Sequence, residues 1–458
     1  MRFGQKVGRQ LLALSMLITA HVPAVADVQY PEKQTLNVAH SLLSVLRNCP
    51  NRIWPDLKAT NLDMLLVNKD ISNQLLVSAR HNTISTVANE SLPPHVFSST
   101  FSLIPFEDRN LLHVDAHYGK YRSTDPSQAF SLAIHEAFHM TDQTSWTFKN
   151  KGSRGTTIPL LASPRIARNM LYRSLLAAYQ EKSQAATHLG NAKYWYKQWL
   201  ESDAVEGNTT TDGYEGTARY AEVIATLLDE SGCGVTEQEL EKMAAQSEIF
   251  KGENIIGFQS LDTEGYYVGG LASLILRFQY PNLQWQERVA KGETPVEILL
   301  ENFKPVPAPV DSDMANRIRS AIKERGLNVD NFIASAEKQM QKETSIYVGL
   351  PLSAIKGSYS PHGFFNSRTT SVRYIPMAKG LRFDFADGTH FLAKEDAVFV
   401  QLPQVDPCAA GWTVVLDESE VHSRGNSQFE VSNPLFQGSL AAEKKTDSKG
   451  RRWLCVFN

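Results

Sequence analysis

Two histidines four residues apart, with a glutamate directly after the first, make up His135-Glu136-Ala137-Phe138-His139, inside the run DPSQAFSLAIHEAFHMT from Asp125 to Thr141. On a helix, side chains at i and i+4 lie one above the other. Both imidazoles can then reach a single metal ion while Glu136 serves as base to a water beside it. The helix is predicted independently of the motif. Asp125 suits the N-cap, Pro126 the first turn, Gln128 completes a capping box, and no Gly or Pro interrupts the run from Ser127 to Thr141.

A catalytic zinc site has three protein ligands and an open position, so a third ligand must come from elsewhere. Glu215, in the segment Tyr214-Glu215-Gly216-Thr217-Ala218-Arg219-Tyr220-Ala221-Glu222, is the best placed, because the small residues at 216 and 218 allow its helix a close approach to the motif helix. Glu222, two turns on and on nearly the same face, is the alternative. Arg219 can orient either carboxylate, and Asp142, one turn past His139, is a candidate to hold that imidazole's other nitrogen. His113 and His117, flanking Asp115, make a weaker candidate for a second metal site, since alternate residues of a strand share one face.

The elements that must position these residues follow from periodicity and punctuation. Helical spacing predicts a first helix over 34–48, and apolar runs predict strands over 62–67, 75–79 and 110–118. Trp54 reads as a core anchor. The strand at 110–118, just ahead of the motif helix, is expected to be an edge able to pair with an extended peptide. Helices are then expected over 164–188, 192–203, 214–230, 236–250 (opened by the capping box Thr236/Glu239), 262–279 and from Thr294-Pro295 onward. A loop is expected over 207–213. After a Pro-rich connector at 303–309, two more helices are expected, over 313–325 and 329–343. Beyond Thr344 short strand-like runs (371–375, 380–385, 397–402 and 411–416) predict a small all-β unit, with Asp387-Gly388 as a hairpin turn. The fold class expected is α+β, with residues 27–344 as the catalytic domain and 345–458 as a β-rich C-terminal domain.

Residues 1–26 read as a secretory signal: Arg2, Lys6 and Arg9, then an apolar stretch from Leu11 to Ala20, then Ala24-Val25-Ala26. Its removal would take the formal charge from −3 to −6, because Arg2, Lys6 and Arg9 leave and no acidic residue does. That balance argues against a nucleic-acid partner, and no later apolar run is long enough for a membrane span. An exported or periplasmic location with Cys49, Cys233, Cys408 and Cys455 predicts two disulfides, preferably Cys408–Cys455 and hence Cys49–Cys233.

HEAFH followed at a distance by a helix beginning EGTARY resembles the gluzincin zinc peptidases, the group that includes thermolysin and the zinc aminopeptidases. Tyr266-Tyr267-Val268-Gly269 ahead of an apolar helix is similar to the Tyr-x-x-Gly segment of the aminopeptidase branch. The resemblance spans roughly residues 110–280. It implies a zinc ion held by His135, His139 and Glu215, in preference to Glu222. It also implies Glu136 as general base and Tyr266, or its neighbour Tyr267, as donor to the oxyanion. Two departures stand: the interval from His139 to Glu215 is far longer than in the family, and no Gly-x-Met-Glu-Asn segment is present to fix a substrate amino terminus. The expected function is an exported peptidase acting on peptide or protein substrates, with the C-terminal domain recruiting substrate or a partner. The alternative from another class is a secreted binding or assembly protein on the same fold, with structural or vestigial zinc. An intact Glu136 counts against that alternative, since a purely structural site needs no base.

Overall fold

The computed structural model describes residues 30–97, 99–116, 127–148, 155–207, 210–251, 261–356, 360–402, 406–408 and 411–457. The leader, Asp125, Pro126 and His117 lie outside them. The fold is α+β: a small N-terminal sheet, a helical middle and an all-β C-terminal region. No helix among the described residues is long and apolar enough to cross a membrane.

The first helix, Tyr30–Asn48, buries Val38, Ala39, Leu42, Val45 and Leu46, an apolar stripe at helical spacing. Beside it lies a sheet of β1 (Asp63–Val67), β2 (Asn73–Ser78), β3 (Thr83–Ala88), β4 (Phe101–Phe106) and β5 (Arg109–Asp115), in the order β3-β2-β1-β5-β4. Only the β1–β5 pairing is parallel. The strand expected at the edge, β5, is therefore interior, paired to β1 and to β4. The edge next to the motif helix is β4 instead, a strand whose Pro105 and irregular burial hide it from pattern reading. Trp54 is buried, as a core anchor should be, with its ring against Phe138, Trp146, Tyr220 and Trp285.

Three helices organise the middle of the chain: the motif helix, Ser127–Thr141; the carboxylate helix, Thr211–Ser231; and the tyrosine helix, Leu261–Gln279. The carboxylate helix begins inside the expected 207–213 loop, after a short turn of helix at Ala204–Gly207. A Cβ on Gly216 would lie 2.5 Å from the backbone of Gly269, and one on Gly269 would lie 2.0 Å from the carbonyl oxygen of Asp212. Gly216 thus lets the carboxylate helix cross the tyrosine helix, not the motif helix as expected. The Thr236/Glu239 capping box is present, but its helix ends at Ala244.

The expected break near Gly190 falls instead at Glu181–Gln184, between helices Ala162–Gln180 and Ala185–Ser202. Gly190 is helical, and a Cβ there would meet Val306 at 2.7 Å, so this glycine admits the Pro-rich connector. Likewise the two helices expected over 313–343 are one, Ser312–Met340, which runs through Gly326. An isolated glycine costs a helix only about 1 kcal/mol.

The C-terminal strands begin at Ser345, and His390–Ala393 pairs with Leu381–Asp384 across the Asp387-Gly388 turn. Gly388 there has φ +82°, as such a turn requires. The boundary at 344 is bridged, however. Residues Thr156–Ile158, which form β6, pair in parallel with Phe365–Ser367 at one end of the 13-stranded sheet. Three residues carry no period that sequence reading could detect. Both expected disulfides are formed, Cys49–Cys233 and Cys408–Cys455.

Behind the carboxylate and tyrosine helices lies a buried ionic cluster. Arg168 donates to both carboxylate oxygens of Asp212, at 2.7 and 2.5 Å, and Arg165 bonds Glu206. Glu264, fully buried, lies 2.9 Å from Arg165 and 3.4 Å from Arg168, so three carboxylates share two guanidiniums. Burial pushes the Glu264 carboxyl up to about 7, against the pull of Arg165 and Arg168. Folded chain holds that proton to near pH 7, whereas unfolded chain releases it near 4.5. The stabilisation is present in full below the lower value and is lost as pH rises through the upper one. Replacing Glu264 by Gln removes the titration. The unfolding free energy of wild type minus that of E264Q, from denaturant titrations, should fall by on the order of 1–3 kcal/mol between pH 5 and pH 8. A difference independent of pH would refute the assignment.

Candidate metal centre

The motif helix brings His135 and His139 to the same face, as its period demands, and the carboxylate helix packs across that face. Nε2 of His135 and Nε2 of His139 lie 3.0 Å apart, and Glu215 Oε2 lies 3.2 Å from the second and 3.4 Å from the first. All three residues are buried, and they are the one such group among the described residues able to hold a metal ion. Glu215 stands where the third ligand was expected. Glu222 does not reach that point; its Oε2 lies 3.3 Å from the opposite nitrogen of His135, Nδ1, and its Oε1 accepts from Arg219. The two glutamates therefore stand differently, Glu215 at the point where both Nε2 atoms converge and Glu222 behind His135.

Behind His139 stands Gln143, not Asp142. Gln143 Oε1 lies 2.6 Å from His139 Nδ1. The Gln143 amide nitrogen donates to the Tyr214 carbonyl at 2.7 Å and to Thr217 Oγ1 at 2.8 Å. Those two acceptors fix the amide orientation, so its oxygen must accept from Nδ1–H and leave the His139 Nε2 lone pair facing the point where a metal ion could be held. Asp142 accepts instead from the backbone N–H groups of Lys58 and Ala59, which anchors the end of the motif helix to the chain leading into β1. Gln143 was missed by sequence reasoning, although its position continues the 135, 139 stripe by one more step of four.

Two tyrosine rings clamp the imidazoles. Tyr266 stacks on His135, with centroids 5.3 Å apart and planes 12° apart, and Tyr214 stacks on His139 at 4.2 Å and 17°. Tyr267 turns the other way, its ring against Tyr172. Of the two neighbours, Tyr266 is the one at the site. His113 is buried in the sheet, with Nδ1 3.3 Å from Ser102 Oγ, away from the metal group.

Glu136 lines a cavity of about 960 Å³ together with His135, Tyr266 and Phe101 of β4. Burial disfavours the His135 imidazolium, but Glu215 and Glu222 outweigh it and raise its pKa to about 9. Burial likewise opposes the Glu215 carboxylate, yet His135 and His139 hold it far below the usual range. No protein-family model, curated protein or solved structure matches the chain.

Metal uptake should therefore displace a proton from His135, and affinity should fall about tenfold per unit as the pH drops below 9. Removing the groups behind the ligands, as Gln143→Leu or Glu222→Gln, should weaken metal affinity roughly 10–100-fold while the chain stays folded. Competition with a chromophoric chelator, alongside thermal unfolding of the metal-free proteins, reads both effects.

Proposed function

We propose that this chain is an exported zinc-dependent peptidase, similar to the gluzincins. The observation that carries the reading is the meeting of His135 Nε2, His139 Nε2 and Glu215 Oε2 at separations of 3.0–3.4 Å, with Glu136 at the adjoining cavity. Tetrahedral ligands about 2.0–2.1 Å from a zinc ion stand about 3.3 Å apart, close to these separations. Two imidazoles and one carboxylate also suit zinc better than calcium or magnesium, which take oxygen ligands. Two disulfides and the absence of a membrane-spanning helix among the described residues are compatible with export.

His135, His139 and Glu215 would hold the zinc ion, which when bound would supply Lewis acidity to a carbonyl oxygen and to water. Glu136 takes the proton of the attacking water and passes it to the departing amine nitrogen. Tyr266, held by its stacking on His135, donates its hydroxyl to the carbonyl oxygen as negative charge develops. Gln143 keeps His139 in the orientation and tautomer that ligation needs, and Glu222 places its carboxylate behind His135. The edge of β4, whose Phe101 lines the cavity, offers backbone N–H and C=O groups to an extended peptide.

Metal analysis of purified protein should find close to one zinc per chain. Glu136→Gln should keep the zinc and lose peptide hydrolysis by about 10²–10⁴-fold. Tyr266→Phe should lower kcat by roughly 10–10³-fold with KM little changed. Protein isolated without zinc would defeat the metal assignment. Zinc-loaded protein whose hydrolysis is indifferent to Glu136 would defeat the peptidase one.

A further inference from the structure

Two walls of the cavity meet at a turn that has little to hold it from within. Val223 and Leu227 line the cavity from the carboxylate helix. Met243, in the short helix Glu237–Ala244, and Gln246 and Ser247 just beyond it line the cavity from the other side. The joining turn is Gly232-Cys233-Gly234-Val235-Thr236. Gly232 has φ +79°, and a Cβ on Gly232 or Gly234 would meet no atom of the described residues within 4 Å. Two unpacked glycines leave such a turn wide conformational freedom.

Its anchor lies outside it. Cys233 is bonded to Cys49, at the end of the first helix, across a separation of 184 residues. Beside that bond Arg52 donates to the carbonyls of Cys233 and Val235, at 2.8 and 2.7 Å, and to Glu237 at 2.7 Å. Arg277 of the tyrosine helix donates to both Glu237 carboxylate oxygens, at 3.0 and 3.1 Å, and to the Arg52 carbonyl at 2.6 Å. Glu237 is exposed, so its ion pairs are screened and hold little by themselves. The disulfide is the strong member of this clasp, because a cross-link closing so long a loop removes the most chain freedom. Cys49 is buried, whereas Cys233 is half-buried between two exposed glycines, which leaves its sulfur the one open to a small thiol.

We propose that Cys49–Cys233 is a redox switch on substrate access: formed, it fixes the wall that carries Met243, Gln246 and Ser247, and reduced, it releases that wall while the metal ligands stay in place. This rests on the peptidase reading. From Glu215 to Ser231 the carboxylate helix runs sixteen residues, about 24 Å at 1.5 Å per residue, so the clasp is remote from the ligand. The ligand end of that helix has its own supports, Arg168 on Asp212 and the contact of Gly216 with Gly269. Closing the switch passes two electrons and two protons from the Cys49 and Cys233 thiols to a small disulfide oxidant, which leaves as two thiols. Opening it reverses the exchange through a mixed disulfide at Cys233. The chain is then quiet while its thiols are reduced, before export, and competent once oxidised outside the cytoplasm.

The test uses the full mature chain loaded with zinc, either oxidised or reduced by a water-soluble phosphine that is then removed. Zinc content, peptide hydrolysis and amide hydrogen exchange of residues 237–247 are measured on each form. Reduction should leave zinc bound, speed exchange in that segment and lower kcat/KM by roughly tenfold. Oxidised glutathione should restore the activity. Cys49→Ser/Cys233→Ser should behave as the reduced chain and resist restoration, while Cys408→Ser/Cys455→Ser should hydrolyse as wild type does. Equal hydrolysis by Cys49→Ser/Cys233→Ser and wild type, or loss of zinc together with activity, overturns the switch and leaves the peptidase reading intact. If the oxidised chain cleaves no peptide, the peptidase reading fails, and hydrogen exchange still decides the switch: exchange in 237–247 that reduction does not alter overturns it.

Discussion

Nε2 of His135, Nε2 of His139 and Oε2 of Glu215 are held within 3.4 Å of one another in a buried setting, and much of the surrounding structure is a response to that demand. In a low-dielectric interior each such group needs a partner, because an uncompensated charge or an unbonded polar atom is costly. Three of the four imidazole nitrogens are within hydrogen-bond reach of a side chain, and the fourth, His135 Nδ1, has the Glu222 carboxylate 3.3 Å away. The inner nitrogens face Glu215, and the outer ones face Gln143 and Glu222, which are themselves held by Thr217, the Tyr214 carbonyl and Arg219. The stacked rings of Tyr214 and Tyr266 close the remaining faces.

Holding two helices at that contact requires that neither drift along the other. The carboxylate helix is fixed by glycine contact against the tyrosine helix, where Gly216 and Gly269 meet backbone to backbone. That crossing places Glu215 and Tyr266, from different helices, against the same imidazole. A side chain at either glycine would force the two helices apart and move Glu215 and Tyr266 away from each other. The glycines are therefore part of the site although neither touches a ligand atom.

How much of this could be read from residues alone depends on how far each signal reaches. His135, Glu136 and His139 are legible because one helix carries them at its own period. Glu215 is legible only as a residue type in a helix with small neighbours, and those neighbours do not name their partner: Gly216 faces the tyrosine helix, not the motif helix. Gln143 lies on the stripe that the histidines define, but the charged Asp142 beside it is the more conspicuous residue. At 190 and 326 glycine suggests helix ends, yet one makes room for a neighbour and the other is simply tolerated. β4 and β6 escape because a strand interrupted by proline and a strand of three residues are defined by their partners, not by their own pattern.

The long interval between His139 and Glu215 has a structural use. It contains the helices Ala162–Gln180 and Ala185–Ser202, and the first of these supplies Arg165 and Arg168. Arg168 grips Asp212, one turn before Glu215, and both arginines approach Glu264, two residues before Tyr266. The same interval carries β6 into the C-terminal sheet, and Asp203 pairs with Arg368, just past the strand Phe365–Ser367, at 2.7 Å. The intervening helices thus brace, from behind, the two helices that carry Glu215 and Tyr266, and they tie that brace to the β region. Removing the intervening helices would take Arg168 away from Asp212 and leave that carboxylate buried without its bidentate partner, which is costlier than never having built the pair. The distance in sequence that makes the third ligand hard to recognise is the length of chain needed to support it.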